Sequence, residues 1–186
     1  MSQANWLDKK ACAISEGFPE KMVLLDCETT GSISTHCKII EIGLLVIENG
    51  VLIDQWQSLC NPETTIPEKI QRLTGINKSM LENAPIFSQI AITLREYLKD
   101  RVLVAHNIRF DYGFLKNEFA REKIKSHEKT LCSVKFSRLL YPQFKSHSLT
   151  SIIKRFKFEI KNRHRAMDDA FVIYKFFLKS SELFES

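Results

Sequence analysis

The sequence predicts an α/β fold, a mixed sheet with helices on its faces, and three features point there. Short apolar runs lead the chain, MVLLDCE (22–28) and IIEIGLLVIENG (39–50), each rich in Leu, Ile or Val. An Asn49-Gly50 step separates the second run from VLIDQWQSLCN (51–61). Both central residues of a type I′ turn need positive φ, so residues 39–61 read as an antiparallel hairpin. Beyond residue 66, helical patterns alternate with strand-like ones.

Each later element has its own signal. PEKIQRLTGI (67–76) starts a helix with Pro67 at a first-turn position and stops it near Gly75. IFSQIAITLREYLKD (86–100) places Phe87, Ile90, Ala91, Leu94 and Leu98 on one helical stripe. RVLVAHN (101–107) is a buried strand, followed by a helix over 108–122. KTLCSVKFSRLLY (129–141) reads as a strand passing into a helix, and further helices cover 148–157 and 165–184. The 186 residues form one expected domain, with an N-terminal extension over 1–20 and a core over about 22–180.

Composition narrows the class. The chain is 44% hydrophobic and 26% charged, the balance of a soluble globular protein, with no run long enough to cross a bilayer. Its opening residues lack an apolar stretch behind a basic start, so no membrane partner and a cytoplasmic location are expected. Five cysteines with no C-x-x-C pair argue against a disulfide framework and a structural zinc site. His36 beside Cys37, with no second pair, reads as a polar loop. A net charge of +5 suits a polyanionic partner, and KRFKFEIKNRHR (154–165) holds six Lys or Arg against one Glu.

The chemistry begins where the first strand ends. Residues i and i+2 of a strand face the same way, with Cα atoms about 6.5 Å apart, so Asp26 and Glu28 share a face and Cys27 takes the other. Two close, part-buried carboxylates repel and stay protonated unless a cation compensates them. An all-oxygen site suits a hard divalent ion, Mg²⁺ or Mn²⁺. Thr29, Thr30 and Gly31 then turn the chain, with backbone amides expected to be free for a ligand. Asp111 lies three and four residues before Phe114 and Leu115, at the edge of its helix's apolar face. In HRAMDDAFVIYKFF, Asp169 shares a stripe with Ala166, Ala170, Ile173 and Phe177, whereas Asp168 shares one with Arg165, Val172, Lys175 and Lys179. Helical phase therefore selects Asp169 as the acid held against the core. His164, just before, titrates in the range useful to an acid–base catalyst.

These stretches, DCETTG, AHNIRFDYGFL and HRAMDDA, resemble in order and spacing the three motifs of the DEDDh 3′–5′ exonucleases, and among them the epsilon proofreading subunit of bacterial DNA polymerase III. KIIEIG (38–43), IQRLTGI (70–76) and SRLLYPQFKSHSLTSI (137–152) extend the likeness over about residues 22–178. The resemblance implies a ribonuclease H-like fold with a mixed five-stranded sheet. It implies two divalent cations, Mg²⁺ or Mn²⁺, held by Asp26, Glu28, Asp111 and Asp169, with Asp26 between them and His164 as general base. It implies a pocket for the 3′-terminal nucleotide formed by Cys27, Thr29, Thr30, Thr74, Asn107 and Phe110, with Leu73 as a wedge beside a terminal base. Arg163, Arg165 and the lysines before them would contact phosphates behind the scissile one.

The partner so implied is a nucleic acid 3′ end, DNA in preference to RNA, single-stranded or frayed. The rivals are an exoribonuclease of the ribonuclease T or oligoribonuclease type and a non-catalytic binding module, which would ordinarily have lost one of the acids. A DNA polymerase or a sliding clamp is a further partner to consider. Against the first, the chain stops soon after the exonuclease region. As to the second, SSELFES (180–186) resembles the Leu-Phe end of a clamp-binding peptide only faintly, with Ser180 where a Gln usually stands, and reads better as an amphipathic helix end. Cys132-Ser133 stands where many members carry Asp-Thr, a position that holds no metal.

Overall fold

The structure is a computed structural model that describes residues 18–183. The N-terminal extension up to residue 17 and the Phe184 end of the clamp-like peptide lie outside the described residues. Five strands, β1 (Lys21–Thr29), β2 (Ile39–Glu48), β3 (Val51–Leu59), β4 (Val102–Ala105) and β5 (Thr130–Cys132), form one sheet in the order β3-β2-β1-β4-β5. β1 pairs antiparallel with β2 and parallel with β4, so the sheet is mixed, as expected. The hairpin turn carries φ of 51° at Asn49 and 79° at Gly50, the double positive-φ geometry that Asn-Gly favours.

The helices are α1 (Glu68–Thr74), α2 (Lys78–Leu81), α3 (Phe87–Leu98), α4 (Arg109–Arg121), α5 (Ser133–Leu140), α6 (Leu149–Phe156) and α7 (Ala166–Ser181). All five stripe residues of α3 are buried, as the 3.6-residue period requires. Pro67 is the N-cap of α1 rather than a first-turn residue, because its ψ of 139° is extended. Gly75, at φ 72°, ends that helix in the left-handed conformation. The sequence reading missed α2, a single turn started by the Asn77 side chain, which accepts from the Met80 N–H. No helix among the described residues is long and apolar enough to cross a membrane.

Alternation along β1 separates two cores. Val23, Leu25 and Cys27 pack against α3 and α4, while Met22 and Leu24 pack with Phe136, Ile152 and Phe176 of α5, α6 and α7. Asp26 and Glu28 continue the second series and so face α7. One glycine sets how close that helix comes. A Cβ on Gly43 of β2 would lie 2.3 Å from the Met167 backbone nitrogen, and Gly43 is the residue paired with Asp26. The start of α7 therefore rests directly on sheet backbone beside the first acid.

Candidate active site

The acids converge because three chain segments end at the same corner of the sheet. β1 delivers Asp26 and Glu28 at its C-terminal end, where a register shift between Glu28 and Thr29 breaks the ladder to β2. From the opposite face, the first turn of α4 brings Asp111, which is buried and accepts from the Cys27 N–H at 3.1 Å. The first turn of α7 brings Asp169, also buried, while Asp168 is half-buried and accepts from Asn162 at 3.4 Å. His164 sits in the turn before α7 at φ +64°, a conformation that costs an L-residue energy and recurs at functional sites. Ligand atoms of Glu28, His164 and Asp169 all lie within 4.8 Å of one another.

Asp26, Glu28, Asp111, Asp169 and His164 line one cavity of about 610 Å³, together with Cys27, Asn107 and Phe110, and with Arg138, Lys145, Ser146 and His147. Asn107, exposed, also adopts a left-handed φ of 67°. Thr29, Thr30, Leu73 and Thr74 lie outside the cavity's lining. The Thr29 hydroxyl donates to the Gly31 carbonyl, and Thr30 accepts from the Lys38 N–H while donating its own N–H to the Lys38 carbonyl. The expectation of free amides after the strand therefore fails at Thr30, because the loop closes on itself. Thr74 is buried, its hydroxyl bonded to the Ile70 carbonyl and the Ile76 N–H at the end of α1, and Leu73 is about half exposed.

The electrostatics are those of crowded acids whose charge Arg163 offsets only in part. Burial, then repulsion from Asp111, Asp169 and Glu28, holds the Asp26 carboxyl well above its ordinary range. Burial, then repulsion from Asp169, pushes Glu28 up to about 8. Asp111 rises to about 7, chiefly through burial, even though backbone hydrogen bonds favour its charged form. Asp169 rises to about 6, again through burial, offset by the Arg163 guanidinium paired with its Oδ2. His164 is lowered, first by burial and then by Arg163, which favours the neutral imidazole.

This donor set fits divalent cations. Four carboxylates crowd one corner, and Asp169 Oδ1 is buried with no hydrogen-bond partner. An orphaned acceptor of this kind among raised acids is what a hard cation would complete. The carboxylate oxygens lining this corner are those of Asp26, Glu28, Asp111 and Asp169.

Two neighbours of the site differ from, or were absent from, the sequence reading. Arg165, expected to reach phosphates, instead donates from Nε to both oxygens of buried Glu41, at 3.0 and 3.1 Å, and Glu41 also accepts the Ala166 N–H at 2.9 Å. Burying Glu41 requires a permanent cation, and Arg165 supplies it. The signal was visible as one Glu in the apolar run IIEIGLLVI. The other is His106, in the cavity wall. Its Nδ1 bonds Ser133 Oγ at 2.8 Å, while Nε2 is buried without a partner, and burial pushes its pKa down to about 4.

Comparison with known proteins bears on this corner and the sheet around it. Residues 23–177 match the exonuclease family RNase T. DNA polymerase III PolC-type from Clostridium perfringens is 35% identical over 155 residues, covering 83% of this chain and 11% of that protein. The 3′-5′ exonuclease DinG from Staphylococcus epidermidis is 34% identical over 163 residues, 87% of this chain and 18% of that protein. The chain thus spans less than a fifth of the length of either relative. Exonuclease I of E. coli, solved in complex with a dA16 oligonucleotide, superposes with a TM-score of 0.79 over 90% of this chain and 42% of that one. At 16% identity this likeness is one of fold, and the fold is ribonuclease H-like.

Proposed function

This chain belongs to the RNase T exonuclease family, and on that premise we propose that it removes nucleotides from the 3′ ends of DNA, single-stranded or frayed, by two-metal-ion hydrolysis. The observation that carries the reading is the cavity shared by Asp26, Glu28, Asp111 and Asp169 with His164. The 3′–5′ direction follows the DinG relative, and DNA follows the PolC-type polymerase and the exonuclease I–dA16 complex. A DNA polymerase as working partner is a further part of the proposal, supported by the PolC likeness alone.

The four carboxylates would hold two Mg²⁺ or Mn²⁺ ions, which when bound supply Lewis-acid neutralisation of the phosphate and of the leaving oxygen. His164, whose surroundings favour the neutral imidazole, takes a proton from the attacking water. The water oxygen bonds to the terminal phosphorus, the bond to the 3′-oxygen of the preceding nucleotide breaks, and a nucleoside 5′-monophosphate leaves. Asn107 and Phe110, in the same cavity wall, orient the terminal nucleotide, and Leu73 is the proposed wedge from its exposed place on α1. Thr29, Thr30 and Thr74 shape the loop and helix end beside that nucleotide.

Digestion of matched DNA and RNA oligonucleotides labelled at the 5′ end tests this directly. With Mn²⁺ the expected result is progressive shortening of the DNA, faster than of the RNA. Preference for RNA would turn the reading to an exoribonuclease, and no shortening of either would end it.

A further inference from the structure

Two arginines flank His164, and their surroundings differ. Arg165 has its bonds completed by Glu41. Arg163 gives Nη1 to Asp169 Oδ2, but its Nε is buried without a hydrogen-bond partner, and so is the other oxygen of the same carboxylate. Each such orphan carries the cost of leaving water with no bond gained in return. The pair is therefore incomplete on both sides, inside a cavity crowded with acids. Its cation is nonetheless shared, since the Arg163 charge favours the ionised forms of Asp26 and Glu28 as well as Asp169.

Residue 163 lies in the turn before α7, with 28% of its side chain exposed. Arg138 and Lys145, both exposed, also line the cavity. A guanidinium released from Asp169 would be a third positive group lining the cavity, and its planar fork suits a phosphodiester.

We infer that Arg163 is a positioning residue that stands in for a divalent ion in the metal-free protein, then releases Asp169 on metal loading and turns to the substrate's phosphate backbone. The inference rests on the two-ion reading above. Metal uptake and strand grip would be one exchange: Arg163 gives up the Asp169 carboxylate, which would then hold the ion, and donates to the phosphate instead.

The test uses the metal-free full-length chain and its Arg163→Gln and Arg163→Lys variants, titrated with Mn²⁺ by calorimetry. Arg163→Gln is expected to bind Mn²⁺ about tenfold more tightly, the effect of about 1.4 kcal/mol. With Ca²⁺ in place of Mn²⁺, its binding of a dT oligonucleotide should lose about one unit of the log–log salt slope. A merely structural arginine would move neither reading in these directions. Unchanged or weaker Mn²⁺ binding overturns the exchange, as does an unchanged salt slope. If Arg163→Gln does not fold, Arg163→Lys decides. Its ammonium cannot fork onto the carboxylate, so Mn²⁺ should bind more tightly by a smaller factor, and equal affinity overturns the inference. If the unaltered chain takes up no Mn²⁺, the two-ion reading falls and the exchange with it. Equal uptake by all three chains removes the exchange alone.

Discussion

Buried and half-buried acids stand in two contrasting surroundings in this molecule. Glu118 of α4 accepts from the Ile39 N–H at 3.4 Å and pairs with Lys38 and Arg121 at 3.5 and 2.9 Å. Glu41 is likewise surrounded by Arg165 and a backbone amide. At the tip of β1, by contrast, Asp26, Glu28, Asp111 and Asp169 line one cavity, and the incompletely bonded Arg163 favours the ionised forms of Asp26, Glu28 and Asp169. The first kind carries its own counterions and holds elements together. The second concentrates charge that the chain does not neutralise, the arrangement expected of a site built for an external cation.

The largest expected effect breaks the second kind. Asp26→Asn removes one carboxylate and should lower nucleotide release by about a hundredfold to a thousandfold, the scale on which one electrostatic contact to the reacting centre acts. The metal-free variant should melt no lower than the parent, because one repelling charge has gone. Thermal denaturation in EDTA beside an oligonucleotide digestion checks both. A variant that loses activity only by losing its fold would place Asp26 with Glu41 and Glu118.

Glu41→Ala should do the reverse. It strands the Arg165 guanidinium and frees the Ala166 N–H at the start of α7, at a cost of about 3–5 kcal/mol. Activity should follow the folded fraction, measured by urea denaturation, and loss of turnover without loss of stability would move Glu41 into the chemistry.

Acidity offers a milder probe of the same contrast. Glu28 at about 8 against an ordinary 4.5, Asp111 at about 7 and Asp169 at about 6 against 3.8 are all raised. The folded state therefore keeps protons that the unfolded chain releases. Their contribution to stability is whole below pH about 4 and is lost as pH rises through the folded values to about 8. Metal-free protein should show a falling melting temperature across that window, and Asp26→Asn a shallower fall. Saturating Mn²⁺ should offset the loss most at the alkaline end, where the ligands are already deprotonated.

The local parts of this arrangement were legible in the sequence because they have periods. The hairpin was readable from Asn49-Gly50, the α3 stripe from its spacing, and the shared face of Asp26 and Glu28 from the strand pleat. Contacts between distant segments have no period. Nothing local announces that β1 lies between β2 and β4, or that Gly43 is bare so that Met167 can touch it. Arg165 was misread for the same reason. A run of basic residues shows where charge is, while its partner Glu41 lies 124 positions away, hidden as one acid in an apolar strand.

The smallest expected effect tests the most local of these readings. Asp168 and Asp169 are adjacent, yet one helical step, about 100°, separates their directions. Asp169 is buried in the cavity wall, and Asp168 is half-buried outside it, touched by Asn162. Asp168→Ala should leave nucleotide release within about twofold and stability within about 0.5 kcal/mol, the range of an ordinary surface change. Asp169→Ala should abolish release. Adjacent acids of the same type thus separate sequence composition from geometry, and comparable losses at both positions would mean that the first turn of α7 presents its acids differently in the working enzyme.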